Sequence, residues 1–211
     1  MNVANSFLVS LFVWLAILIN GLVVFRFKPL TFWKEILMVS VFCSSISTLI
    51  QYFDVVILMT FAPPALAISC FAFLTGIRWV YMMIMITVGV TVSGLLEFGT
   101  TYVFHHFDIE LTLDMLEKDY SLASWYFVGI HFVIVLTLYQ KRLGFTSLEI
   151  YRTPRLSDTS VIFTLLFLAA NSMAGIFIVF KQTSILYLLL FVFIGFIVFV
   201  ISNFIRELRL S

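Results

Sequence analysis

Glu97 is the residue in this chain whose chemistry most needs an explanation. It lies in TVSGLLEFGTTYVFHH, residues 91–106, inside a long apolar run that opens near Trp79. An ionisable group at mid-span costs on the order of 2.5–3.5 kcal/mol on insertion scales, and such groups usually line a functional cavity. On a helix, Ser93 and Gly94 fall one turn before Glu97, and Thr100 and Thr101 one turn after it, on the same face. That small, polar stripe suits a wet cavity or another helix and does not suit lipid. At 1.5 Å per residue, Glu97 stands about 8 Å outward of the helix middle. Two readings stay open: a protonated carboxyl bonded to a hydroxyl or amide of another helix, and the polar anchor of an outward-opening pocket. His131, in a later apolar run, is a candidate partner, with inter-helix bonding as its plainer role. Asn20 and Asn171 read as helix-to-helix glue, typically worth ~0.6 kcal/mol each.

Other reactive residue types lead nowhere catalytic. His105 and His106 are adjacent and point in different directions, and with only Asp108 nearby they make no metal set. Cys43 and Cys70 fall inside apolar runs and read as unpaired thiols behaving as small hydrophobes. For a nucleophile and base, Cys43 with His131 is the sole candidate, at poorly matched depths. The chain contains no phosphate-binding loop, no H-E-x-x-H and no G-x-S-x-G. No metal, no cofactor, no nucleic-acid partner and no catalytic activity are expected of these residues.

The elements that must hold Glu97 follow from composition. Of 211 residues, 63% are hydrophobic and 11% charged, where a soluble domain carries about 25% charged. An all-α, polytopic membrane helix bundle is expected, a single domain over 1–211 in the plasma membrane. A β-barrel would alternate apolar and polar residues over about ten positions, and the runs here are continuous. MNVANSFLV lacks the positive start of a secretory signal, so the first run is expected to persist as a span.

With about 20 apolar residues needed per crossing, seven spans are expected, near 6–25, 36–52, 55–76, 79–104, 124–139, 159–180 and 185–205. The second and third are separated by QYFD (51–54) in this reading; a turn at Ala62-Pro63-Pro64 instead leaves the third too short to cross. Seven spans with the N-terminus outside and the C-terminus cytoplasmic put ten of the twelve basic residues inside: Arg26, Lys28, Lys34, Arg78, Lys141, Arg142, Arg152, Arg155, Arg206 and Arg209. Lys118 and Lys181 are left outside, a distribution that follows the positive-inside bias. The outer face then carries Asp54 and the acidic stretch 105–124, read as a short structured lid on the membrane surface. The basic loop 140–158 is expected to orient the helices and touch anionic lipid heads.

Two stretches carry a family likeness: GIRWVYMMIMITVGV (76–90) and VFVISNFIRELRL (198–210), where Phe199-Val200-Ile201-Ser202 runs through Phe204 into Arg206-Glu207. With the layout of spans, they resemble the sensor domain of the Gram-positive peptide-pheromone histidine kinases, the AgrC/ComD type. The resemblance implies a quorum-sensing receptor of a two-component system, binding a secreted peptide in the outer half of the bundle and biasing the last helix. It also implies a possible homodimer. The pattern departs after Arg206, where no phospho-accepting helix or ATP-binding domain follows. The expectation is therefore a receptor without its kinase, and no enzyme. In that reading Glu97, Asp54, Thr101, Tyr102 and His131 form the ligand site. The acidic mouth favours cationic or neutral ligands, and Phe98, Tyr102, Phe104 and Phe107 make an aromatic wall. A substrate-binding transporter subunit and a membrane-embedded peptide-processing protein are the competing classes.

Overall fold

The computed structural model describes residues 3–53, 55, 58, 61–112, 122–141, 166–171, 173, 174 and 184–210; for 122–124 and 202–210 it describes the backbone alone. Every regular element among them is helical. They are α1 (Val3–Val24), a 3₁₀ turn (Pro29–Phe32), α2 (Trp33–Tyr52), α3 (Ala62–Thr75), α4 (Trp79–Phe104), α5 (Leu122–Gln140) and α6 (Ile185–Leu210). Residues 166–171, 173 and 174 are helical too. Three stretches, Val3–Val24, Pro29–Tyr52 and Trp79–Phe104, are long and apolar enough to cross a membrane.

The third expected span, 55–76, takes a different form. Its helix starts at Ala62 and has 14 residues, about 21 Å at 1.5 Å per residue against the ~30 Å of a hydrocarbon core. The turn at Ala62-Pro63-Pro64 is where the helix begins. Prolines belong there, since a first helical turn needs no amide donor, whereas deeper in a helix each would remove a bond and clash with the preceding turn.

Helix ends are set by left-handed residues. After α1, Arg26 N bonds Val23 O at 2.9 Å and Phe27 N bonds Leu22 O at 3.0 Å, the double bond of a Schellman cap. Arg26 holds φ 57° there, a conformation that costs a non-glycine residue roughly 1–2 kcal/mol. Gly76 ends α3 at φ 69°, its amide on Ala72 O. α4 closes as α1 does, with His106 N on Val103 O and Phe107 N on Tyr102 O.

The centre of the bundle is the crossing of α1 and α4. A Cβ added at Gly21 would stand 2.5 Å from Met85 O, and one at Gly89 would stand 2.5 Å from Ile17 O. The two backbones therefore touch, each glycine against the other helix's carbonyl, as small residues allow where helices pack in lipid. The pairing of 21 with 85 and 17 with 89 makes the helices antiparallel. Around this crossing Leu18, Leu22, Met82, Ile84, Met85 and Ile86 are fully buried, and Val39, Cys43, Ala67 and Phe71 join them from α2 and α3. Trp14 Nε1 donates to Ser47 Oγ at 3.3 Å, tying α1 to α2. Phe104 meets Tyr126 at 5.9 Å, so α5 runs back along α4.

This topology sorts charge. Arg26 and Lys28 after α1, Lys34 at the start of α2, Arg78 before α4 and Lys141 after α5 occupy one end of the bundle. They are all the basic side chains among the described residues. Asp108 and Glu110 lie at the other end, beyond α4.

Gly21→Ala and Gly89→Ala should each destabilise the protein by about 1–3 kcal/mol through overpacking. Gly99→Ala, where nothing stands within 4 Å of the added Cβ, should fall within about 0.5 kcal/mol of wild type. Denaturant titration in detergent micelles measures all three; equal effects would refute the backbone contact.

Candidate functional site

Glu97 lies near the acidic end of α4 and is exposed. It borders a cavity of about 160 Å³ whose walls are Thr91, Gly94 and Phe98 of α4, Ala170 and Asn171 of the helical segment beginning at 166, and Ile185, Leu189 and Val192 of α6. The helical spacing 91, 94, 98 lines one face; of the small polar stripe expected around Glu97, Gly94 borders the cavity, while Ser93, Thr100 and Thr101 do not. No hydrogen bond or ion pair reaches the Glu97 carboxylate among the described residues. The first of the two readings, a carboxyl bonded to another helix, has no partner there; the second, a polar group at a cavity, matches the geometry.

The polar groups around it are fixed by one another. Asn171 Nδ2 donates to Thr91 Oγ1 at 2.8 Å and to Phe167 O at 2.7 Å, and Thr91 Oγ1 donates to Thr87 O at 2.8 Å. The amide is thereby held with its Oδ1 beside Gly94, 3.6 Å from where a Cβ there would stand. Glycine keeps that side of the cavity open. Thr100 turns away from it, its hydroxyl bonded to Leu96 O at 2.7 Å. A volume of this size far exceeds the ~10–15 Å³ a single water needs and falls short of the ~300–1,000 Å³ of drug-sized ligand sites. It can take a few waters or one side-chain-sized group.

The other expected site residues part company. Tyr102 stays close: it stacks on Phe98 at 5.7 Å and meets Phe107 edge-on at 5.3 Å. Phe98, Tyr102, Ile109 and Ile185 form one apolar cluster. Phe104, expected in the same wall, packs on Tyr126 of α5 instead. Thr101 is half-buried, does not line the cavity, and uses its carbonyl to cap His105 N at 3.0 Å. Asp54 lies outside the described residues.

His131 does not meet Glu97. It is fully buried at 0% exposure, as is Asn20, and the two side chains meet at 3.3 Å between His131 Nε2 and Asn20 Nδ2. With the amide donating, Nε2 accepts and Nδ1 carries the ring proton. Asn20 Oδ1 and His131 Nδ1 have no hydrogen-bond partner among the described residues. The plainer role of His131, bonding between helices, is the one its geometry serves. Cys43 Sγ approaches Pro63 O at 3.7 Å between α2 and α3, so the structure does not join it to His131.

The described part of the acidic stretch is folded. Asp108 Oδ1 accepts from Glu110 N at 2.9 Å and Leu111 N at 3.1 Å, capping the helical turn 109–112. Asp114, Glu117, Lys118 and Asp119 lie outside the described residues. Among the described residues no group of three or more His, Cys, Asp or Glu is placed to hold a metal.

No family model matches the chain, and neither a curated protein nor a solved structure does. The chemistry of the site therefore rests on its own residues: a carboxylate with no partner among the described residues, one oriented amide and an apolar wall contributed by α6. Asn171, expected as helix-to-helix glue, does bond across helices to Thr91, and it also borders the cavity, a position its sequence spacing does not reveal.

Two outcomes test this geometry. In a chain carrying Cys43→Ala and Cys70→Ala, a charged thiol reagent should label Glu97→Cys far faster than Ser93→Cys, which is buried; equal rates would mean that position 97 does not meet water. Asn20→Leu and His131→Leu should each cost about 1–3 kcal/mol by orphaning a buried polar partner. The double variant should cost less than the sum, and additivity in a double-mutant cycle would deny the pair any coupling.

Proposed function

We propose that this chain is a multi-pass plasma-membrane sensor domain that binds an extracellular signalling peptide, in the manner of the quorum-sensing receptors its sequence resembles. The observation that carries the reading is the shared cavity: Glu97 on one side, and Ile185, Leu189 and Val192 of α6 on the other. A ligand group that enters touches the last helix directly. Differential contact of this kind is what a ligand needs to shift a helix between two positions.

The size of the cavity narrows the ligand. It accommodates one cationic side chain or an amino terminus facing the carboxylate, and not a whole peptide. The remainder would lie over the apolar surface at the same end, where Val103, Phe107 and Leu111 are exposed. An acidic rim with Asp108 and Glu110 raises the local concentration of cations and repels anions.

Two further observations support the seven-span, outside-to-inside orientation. α5 and α6 contain 19 and 26 residues, close to or above the length of one crossing. The five described basic side chains share one end, which the positive-inside bias assigns to the cytoplasm. α6 starts beside Phe98 at the acidic end and carries Arg206 and Arg209 in its last turns, so it would deliver the signal to the inner face. Cys43 Sγ lies against Pro63 O and His131 against Asn20, which gives the peptide-processing alternative no support.

Hydrophobic synthetic peptides bearing one free amine should bind detergent-solubilised protein, and Glu97→Gln should weaken them roughly 10- to 100-fold, the scale of a charge-assisted bond worth ~1.5–3 kcal/mol. Acetylating the amine should erase the difference between the two proteins. Identical affinities throughout would remove Glu97 from the site. On intact cells, an impermeant thiol reagent should reach Glu110→Cys; labelling only after permeabilisation would reverse the orientation.

A further inference from the structure

A cavity larger than the one beside Glu97 lies at the opposite, basic end. It measures about 540 Å³ and is formed where the chain leaves α1 and where α5 finishes. Arg26 and Lys28 supply cationic groups, Tyr139 and Gln140 supply a hydroxyl and an amide, and Val23 and Leu138 supply apolar wall. No acidic side chain is among the described residues that line it. Two cations with neutral donors make a lining for an anion with several oxygens, and the volume lies within the range of ligand sites.

Arg26 is itself an anomaly. It occupies the left-handed position of the Schellman cap, the place where glycine is favoured because it has no Cβ to clash. Backbone strain at a residue that also borders a charged cavity points to a use for its side chain.

The surroundings identify the anion's source. At this same end Trp33 is 56% exposed and Trp79 62% exposed, and Lys34 Nζ lies 5.9 Å from the Trp33 ring centroid. Exposed tryptophans beside basic residues mark the headgroup level of a bilayer. Basic pockets between helices at that level bind phospholipid head groups.

We propose that this cavity binds the phosphate group of an anionic membrane lipid, with Arg26 and Lys28 as its charge partners. The proposal does not depend on peptide binding at the other end.

The test is thermal unfolding of the purified chain in uncharged detergent, with phosphatidylglycerol, phosphatidylcholine or inorganic phosphate added. Phosphatidylglycerol should raise the Tm of wild type in a saturable way, and the other two additions should not. Arg26→Gly, in which glycine fits the left-handed cap, should still unfold cooperatively and should lose the phosphatidylglycerol response. Lys28→Gln, outside the cap, should reduce that response and leave the lipid-free Tm unchanged. An equal response in wild type and both variants would overturn the site. So would an equal response to phosphatidylcholine. A matching shift from inorganic phosphate would overturn the lipid assignment in favour of a soluble phosphate.

Discussion

The contact on which the architecture depends is the one between the backbones of α1 and α4. In lipid, apolar side chains gain little by leaving a solvent as greasy as themselves, so close packing and polar bonds must hold helices together. Gly21 and Gly89 permit the packing by lacking a side chain at the two points where a carbonyl of the other helix arrives. Everything else is arranged around that crossing. α2 and α3 lean on α1 and α4 from one side, with Trp14 bonded to Ser47, and α5 lies along α1 and α4 on the other, pinned by the Asn20–His131 pair. An added methyl at either glycine would have to push the helices apart and would loosen all of these contacts together.

Because α1 and α4 are held antiparallel, the ends of the bundle acquire opposite character. One collects Arg26, Lys28, Lys34, Arg78 and Lys141 with exposed tryptophans. The other collects Glu97, Asp108, Glu110 and the Phe98–Tyr102–Phe107 stack. A small cavity opens at the acidic end and a larger one at the basic end. These differ in the polar groups they offer: a carboxylate and an oriented amide in the first, guanidinium and ammonium groups with neutral donors in the second. α6 starts at the acidic end, where it forms one wall of the first cavity.

Two kinds of polar bonding recur among the described side chains. Ser44 and Thr48 return their hydroxyls to carbonyls one turn earlier, which satisfies them locally, and Thr91 does the same while also accepting from Asn171 across helices. Asn20, His131, Asn171 and Trp14 bond across helices and fix which faces meet. Glu97 does neither. Its carboxylate meets no hydrogen-bond or ion-pair partner among the described residues, and it borders the cavity.

Helical class, the approximate position of most helices, and the segregation of basic residues were determined by the sequence alone. Run length, composition and the placement of charge are local properties, and the bilayer converts them directly into elements. The nearness of Gly94 to Glu97 was legible for the same reason, since a helix brings residues three apart onto one face, whereas Thr91 and Phe98, rather than Thr100 and Thr101, complete the cavity face. Pairing between helices was decided only by the tertiary structure. Gly21 and Gly89 look no different in sequence from Gly99 and Gly129, yet only the first two meet a backbone. His131 found Asn20, 111 positions away, rather than Glu97, and Phe104 parted from Phe98 because six residues turn a helix away from the face that four would have kept. The start of α3 followed Pro63 and Pro64, whose rings fit only a first turn, over the apolar run that continues through them. Such choices depend on shape complementarity between distant faces, and one-dimensional spacing carries no record of it.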